Sequence, residues 1–420
     1  MFKNLKLLKI ISIFIILINT IIPSTLADDY NEDIDNEPTI NDQIIETSSA
    51  ISDIPDINSR AAVVIDRNSN KVLFGKNENI KRKMASTTKI MTCLLVIENC
   101  DLSQTIEVSK KSALTGGSRL GLKTGDIITV KDLIYGLMLC SGNDAAVALA
   151  EHVSGNVENF ATLMNNKAKE IGLENTNFET PHGLDSDNHY TTAYELALLA
   201  NYALQNDIFS KIVGTKSYTV TINGNPKTIT NTNELLGNLN GVYGIKTGFT
   251  NGANRCLVTA CKRDNLDIIC VVLGADTKKF RTKDSIKLIE YCFKTYEPVS
   301  IKDLVDKNFK TWKEKNLNSF NLIKSQNNNI DLKLLPLKND ILPIEKNNIN
   351  ALNCFITCNK NLEAPLNYGV SIGKIEIVCN ENVISNTDIV LNCTINKKNM
   401  LDYFYGFWKI IPYLTTKKEL

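Results

Sequence analysis

Between residues 61 and 76 two apolar runs, Ala61–Ile65 and Val72–Phe74, flank the polar stretch Arg67-Asn68-Ser69-Asn70. That pattern predicts a β-hairpin closed by turn residues. From Thr87 to about Asn99 apolar residues recur with helical period, and residues 132–153 and 192–205 repeat the amphipathic pattern. Residues 254–275, NRCLVTACKRDNLDIICVVLGA, predict two strands joined by a polar turn, and residues 282–296 predict a closing helix. Strands at both ends with helices between them imply an α+β fold. An antiparallel sheet assembled from the two ends is covered by helices, with a helical subdomain inserted in the middle. After about Tyr296 the texture changes to Asn- and Lys-rich stretches broken by short alternating runs such as GVSIGKIEIVCNENVI. This predicts a small all-β C-terminal domain over residues 297–396.

The two ends of the chain read differently. Lys3, Lys6 and Lys9 precede an apolar stretch from Ile10 to Ile22, followed by Thr25-Leu26-Ala27 with small residues at the cleavage-reading positions. This is the pattern of a secretory signal over residues 1–27, with an apolar run shorter than the roughly 18 to 20 residues of a spanning helix. Residues 28–60 hold ten Asp or Glu against one Arg and no apolar period, which predicts a solvated, disordered linker. In residues 397–420, Leu401, Phe404, Tyr405, Trp408 and Ile411 fall at helical spacing between the lysine pairs 397–398 and 417–418. The segment is too short to span a bilayer, and an amphipathic helix lying on the membrane surface fits it better than a helix docked into the core. The expected location is therefore outside the cytoplasmic membrane, at its outer face or in the cell wall.

Composition changes this picture little. A net charge of +1 with 22% charged residues leaves no global basic footprint, so no nucleic-acid partner is expected. Eleven cysteines would suit a disulfide framework, but Cys93, Cys140, Cys270 and Cys292 sit in apolar runs, where a thiol packs as a small hydrophobe. Most are expected to be unpaired. One bridge among Cys354, Cys358, Cys379 and Cys393 is a lesser alternative, and a zinc site there a weaker one, since only the first two are close in sequence.

Candidate chemistry begins with Ser86-Thr87-Thr88-Lys89. A serine three places before a lysine recurs at Ser371 and Lys374, but in an alternating strand residues three apart point to opposite faces. On entry to a helix they share a face. Gly369-Val370-Ser371-Ile372-Gly373 also spells a nucleophile elbow, which needs a later triad histidine; the three histidines, at 152, 182 and 189, all precede it. Ser-x-Asn begins at Ser141, Ser154, Ser186, Ser319 and Ser325. Ser141-Gly142-Asn143 ranks first because it stands at a break between two apolar helical runs, with Ser186-Asp187-Asn188 second. Of two Lys-Thr-Gly triplets, Lys246-Thr247-Gly248 stands just before the two predicted sheet strands and Lys123 precedes any strand pair. The later copy is the better candidate for a cleft edge. A serine hydroxyl needs a neighbouring base to become a nucleophile, and Lys89 can be that base only where burial beside other cations lowers its pKa.

The ordered set Ser86-x-x-Lys89, Ser141-x-Asn143, Lys246-Thr247-Gly248 resembles the penicillin-binding protein and serine β-lactamase superfamily. The stretches MASTTKIMT, GGSRLGLKTGDIITVKDLIYGLMLCSGNDAAVALAEHVSG, TPHGLDSDNHYTTAYELALLA and GIKTGFTNGANRCLVTA look like the low-molecular-mass D-alanyl-D-alanine carboxypeptidases. The resemblance covers residues 60 to about 296, here a transpeptidase-like domain over 61–296, and extends more weakly to the β domain and terminal helix. It implies Ser86 as nucleophile, Lys89 as base and Ser141 as proton relay to the departing amine. It further implies Asn143 on a substrate amide, Lys246 and Thr247 on the terminal carboxylate, and Gly248 as room for a substrate strand. The backbone N–H groups of Ser86 and Phe249 would form the oxyanion hole. The implied partners are peptidoglycan stem peptides, with β-lactams as inhibitors, and neither metal nor organic cofactor is implied. Pro181-His182-Gly183-Leu184 would shape a loop below the cleft, with structural roles for His182 and His189. Cys140 departs from the pattern and is read as a bland buried residue. A serine β-lactamase is the nearest alternative, but neither Glu174 nor Glu179 stands in a stretch resembling the deacylating loop. A non-catalytic wall-binding protein on the same fold is the other; three intact motifs argue against it.

Overall fold

The computed structural model describes residues 54–405 and, before them, Ile40. The proposed signal, most of the acidic linker and the last part of the terminal segment lie outside those residues. The chain divides into two compact units, one ending at Cys292 and the other beginning at Phe293.

In the first unit the strands are β1 (Ala61–Asp66), β2 (Val72–Lys76), β3 (Thr105–Glu107), β4 (Ile127–Thr129), β5 (Ser217–Ile222), β6 (Asn225–Thr230), β7 (Val242–Thr250), β8 (Asn254–Arg263) and β9 (Leu266–Ala275). Five of them form an antiparallel sheet in the order β2-β1-β9-β8-β7. Its register joins Ala61 to Leu273 and Asp66 to Ile268, so the two ends of the region close the sheet as the pattern implied. All six residues of β1 are buried, which is why its first five form a continuous apolar run and not an alternating one. β3 pairs with β4 and β5 with β6 in separate two-stranded ribbons.

The helices are α1 (Lys89–Asn99), α2 (Lys110–Ala113), α3 (Val130–Met138), α4 (Asn143–Ser154), α5 (Val157–Ile171), α6 (Ala193–Ala203), α7 (Asp207–Val213) and α8 (Lys278–Thr295). In α1 every residue from Lys89 to Val96 is buried, and in α4 every residue from Asn143 to Ala150. Helices enclosed on all sides sit in a core, and these two carry the motif residues into it. The closing helix starts at Lys278, four residues before the apolar period begins, because its first turn is polar.

Lys246-Thr247-Gly248 stands just before β8 and β9, as expected, and itself lies in a further strand, β7, at the sheet edge. Two glycines and a lysine hide the alternation of VYGIKTGFT, and pairing with β8 supplies it. In the second unit a four-stranded antiparallel sheet, ordered Leu332–Leu334, Asn382–Leu391, Ser371–Cys379, Leu352–Cys358, meets the expectation of a β-rich domain. It is accompanied by a helix that was not expected, α9 (Ile301–Asn316). Its apolar residues Ile301, Leu304, Val305, Phe309 and Trp312 keep helical spacing inside an otherwise polar run, and they join the core of Ile375, Ile377 and Ile389. The eleven cysteines are free thiols, and no group of His, Cys, Asp and Glu able to hold a metal occurs among the described residues.

Candidate active site

Ser86 stands in a single 3-10 turn, Ala85–Thr88, that runs directly into α1. The i, i+3 geometry of that turn eclipses residues three apart, and it sets Lys89 Nζ 2.8 Å from Ser86 Oγ. The lysine is fully buried. Its amine donates to Asn143 Oδ1 at 2.6 Å and to the His182 carbonyl at 3.0 Å. Two adjacent hydroxyls gather the turn's carbonyls: Thr87 Oγ1 donates to Met84 O at 2.6 Å and Thr88 Oγ1 to Ala85 O at 2.8 Å. Ala85 itself has φ of 49°, a left-handed conformation that costs a residue with a Cβ roughly 1 to 3 kcal/mol and is kept only where the surroundings enforce it.

The second motif lies at the break between α3 and α4. Ser141 also has a positive φ, 62°, and this kink turns the chain from one helix into the next. Asn143 opens α4; its backbone N–H donates to Ser118 O at 2.7 Å and its Nδ2 to Gly116 O at 2.7 Å. The neighbouring Asp144, fully buried, accepts from the backbone N–H groups of Leu120 and Gly121 at 2.8 Å and of Leu122 at 3.0 Å. Asn143 and Asp144 thereby pin the loop 116–122 against the motif. Sequence reasoning missed Asp144, although it sits directly after the triplet.

The third motif forms the opposite wall. Gly248 brings β7 so close to Ser86 that a Cβ there would lie 3.1 Å from its backbone N. Thr247 Oγ1 is 2.6 Å from Thr232 Oγ1. Lys246 is 1% exposed and donates to Thr247 O at 3.1 Å; two residues from Gly248 in the same strand, it projects from the face of β7 that abuts Ser86. Phe249 faces Arg255 across the β7–β8 pair, with the guanidinium 3.7 Å from the ring centroid.

Ser86, Ser141, Thr247, Gly248 and Phe249 share one cleft of about 680 Å³. Cations line its far end: Arg255, Lys278 and Arg281, with Glu234 bound by Lys278 at 2.5 Å. The sequence reading singled out none of them: Lys278 and Arg281 stand at the start of α8, remote in sequence from all three motifs, and Arg255 lies in β8. Cys140 lines the cleft too; burial pushes its thiol up, and its Sγ donates to Gly136 O at 3.1 Å. It is a poor thiolate.

The decoys are elsewhere. Lys123-Thr124-Gly125 occupies an exposed turn, and Ser186 lies in the loop after Leu184. Burial pushes His182 down to about 3 and His189 down to about 4, so both rings are neutral near pH 7. His182 contributes its carbonyl, not its ring, to Lys89. His189 has Nε2 2.8 Å from Thr88 Oγ1, and its Nδ1 accepts from the Glu179 N–H at 3.0 Å, which leaves neither ring nitrogen for a metal.

The family model described as D-alanyl-D-alanine carboxypeptidase matches residues 47–277, and that of the penicillin-binding protein 5 C-terminal domain matches residues 300–397. D-alanyl-D-alanine carboxypeptidase DacF of Bacillus subtilis is 41% identical over 245 residues, 57% of this chain and 63% of that protein. The match thus spans less than two thirds of that relative. DacA of Haemophilus influenzae is 34% identical over 334 residues, 76% of this chain and 81% of its own length. Among solved structures, penicillin binding protein 5 from Haemophilus influenzae aligns with a TM-score of 0.66 at 28% identity, covering 82% of this chain and 99% of that one.

Proposed function

Because this chain belongs to the D-alanyl-D-alanine carboxypeptidase family, we propose that it removes the terminal D-alanine of peptidoglycan stem peptides through an acyl-enzyme on Ser86. The observation that carries the reading is Lys89, buried, 2.8 Å from Ser86 Oγ and tethered to two fixed carbonyl oxygens, Asn143 Oδ1 and His182 O. A neutral amine that gives its two N–H groups to those acceptors turns its lone pair to the serine hydroxyl. Lys89 then takes the proton as Oγ attacks the carbonyl carbon of the penultimate D-alanine. The Ser86 and Phe249 N–H groups receive the developing oxyanion. The C–N bond breaks, D-alanine departs with a proton relayed by Ser141, and water hydrolyses the ester to restore Ser86.

Lys246 and Thr247 take the terminal carboxylate, for which a charge-assisted contact is about twice as strong as a neutral one; Arg281 lines the same cleft and adds positive potential.

The test is direct: the protein is incubated with a pentapeptide ending in D-Ala-D-Ala and the products are weighed. Release of one alanine is expected, and an unchanged peptide would overturn the reading. Penicillin should acylate Ser86 and stay bound for minutes or longer, because the acid lining the cleft, Glu234, is held by Lys278. Rapid multiple turnover of penicillin would favour a β-lactamase instead.

We also propose that the protein is exported and rests on the membrane surface through its C-terminal segment. No helix among the described residues is long and apolar enough to cross a membrane. Met400, Leu401 and Phe404 are well exposed at 76%, 66% and 54%, which supports an interfacial contact. Deleting residues 398–420 should release the protein from anionic vesicles without lowering its activity on a soluble peptide. Equal vesicle binding by the truncated chain would rule the contact out.

A further inference from the structure

His189 takes no part in the reaction as proposed, yet it lies against the turn that presents the nucleophile. The ring is 2% exposed and packs edge-on against Phe178, 5.8 Å between centroids. Its two nitrogens are committed in a fixed sense. The Glu179 N–H can only donate, so Nδ1, 3.0 Å away, is the acceptor and carries no proton. In a neutral imidazole the proton is then on Nε2, which donates to Thr88 Oγ1 at 2.8 Å. With its lone pair engaged, the Thr88 hydroxyl gives its own hydrogen to Ala85 O at 2.8 Å. Ala85 is the residue of positive φ directly before Ser86. Gly183 closes the same spot, since a Cβ there would collide with Ala85 O and Thr88 Oγ1.

We propose that His189 is a positioning residue for the nucleophile: the one-way chain from Glu179 N–H through His189 and Thr88 to the Ala85 carbonyl holds the strained turn that aims Ser86 at Lys89. The proposal rests on the acyl-enzyme reading above. Burial supports it by keeping the ring neutral, since an imidazolium would set a second N–H against the Glu179 N–H and break the first link of the chain. The charged and titratable groups acting on the ring are Glu179, Asp185 and His182. His189 contacts neither reacting atom. Its loss is therefore expected to slow acylation without weakening the encounter with the acylating molecule.

The test measures the rate of covalent capture of a fluorescent penicillin across concentrations, which separates the limiting acylation rate from the half-saturating concentration. His189→Leu and Thr88→Val should each lower the limiting rate by about tenfold or more with little change in half-saturation. The double variant should be no slower than the slower single variant, because both cut the same chain. His189→Gln offers an amide oxygen to Glu179 N–H and an amide N–H to Thr88, so it should recover most of the rate. Melting curves establish that each variant is folded; should His189→Leu fail that check, Thr88→Val and His189→Gln carry the comparison. Wild-type rates in Thr88→Val, multiplying effects in the double variant, or a His189→Gln protein slowed as much as Thr88→Val would each overturn the proposal. A wild-type protein that penicillin never labels would overturn the acyl-enzyme reading itself, a different result from labelled variants that match the wild type.

Discussion

Ser86→Ala is expected to abolish covalent labelling by a fluorescent penicillin, while Ser371→Ala leaves labelling intact, as read by gel fluorescence at matched protein concentration. Both serines precede a lysine by three residues, so the pair of variants tests geometry and not motif. At Ser86 the 3-10 turn places the hydroxyl 2.8 Å from a buried amine. Ser371 opens the strand Ser371–Cys379, and there Lys374 donates to Glu376 Oε1 at 2.5 Å instead. Ser371 Oγ meanwhile turns to Gly373 O at 3.5 Å, so the hydroxyl and the amine have different partners. Equal labelling of the Ser86→Ala protein would sink the mechanism.

Lys89→Met should lower the acylation rate by about 10² to 10⁴, the range general-base removal usually spans. Methionine fills a similar volume, so the loss would come from chemistry more than from packing. A second consequence follows from burial. Asn143 Oδ1 and the His182 carbonyl each lose a donor, and an unmet buried acceptor costs about 1 to 3 kcal/mol. The melting temperature should therefore fall as well, whereas Ser86→Ala, which strands neither of those carbonyls, should melt close to the wild type. Stopped-flow acylation and calorimetry on the same preparations check both halves. An acylation rate within tenfold of wild type would assign the base elsewhere.

What was legible in the sequence was what local spacing determines. Ser86 and Lys89 are three apart at a helix entrance, and Ser141-Gly142-Asn143 interrupts two apolar runs; neither inference needs a distant partner. The sheet was legible at its ends because β1, β8 and β9 are apolar enough to announce themselves. Contacts set by long-range packing were not. The His182 carbonyl reaches Lys89 across 93 residues of sequence, and Arg281 reaches the cleft from a helix whose first turn looks like solvated surface. The lysine of Lys-Thr-Gly shows the same limit from the other side. Its motif was recognisable, yet only the pairing of β7 with β8 reveals that it stands within an edge strand, two residues before the glycine that abuts Ser86. The helix α9 escaped because Lys and Asn outnumber its apolar residues, so its stripe of five is visible only once the period is known.

If Ser86 is the nucleophile proposed above, the closeness of β7 to it limits how such a protein can escape a drug that acylates it. A side chain at Gly248 would press on Ser86 N, Ala85 Cβ and Met84 O together, and one at Gly183 would strike the Ala85 carbonyl. Changes at either position damage the proper substrate's site as surely as the inhibitor's, so they offer no route to selective resistance. Phe249 and Arg255 stand at the cleft with side chains that can change without filling that gap. Variants selected under sustained drug exposure should therefore collect at this rim and spare the two glycines, leaving a narrow and foreseeable set of positions to watch.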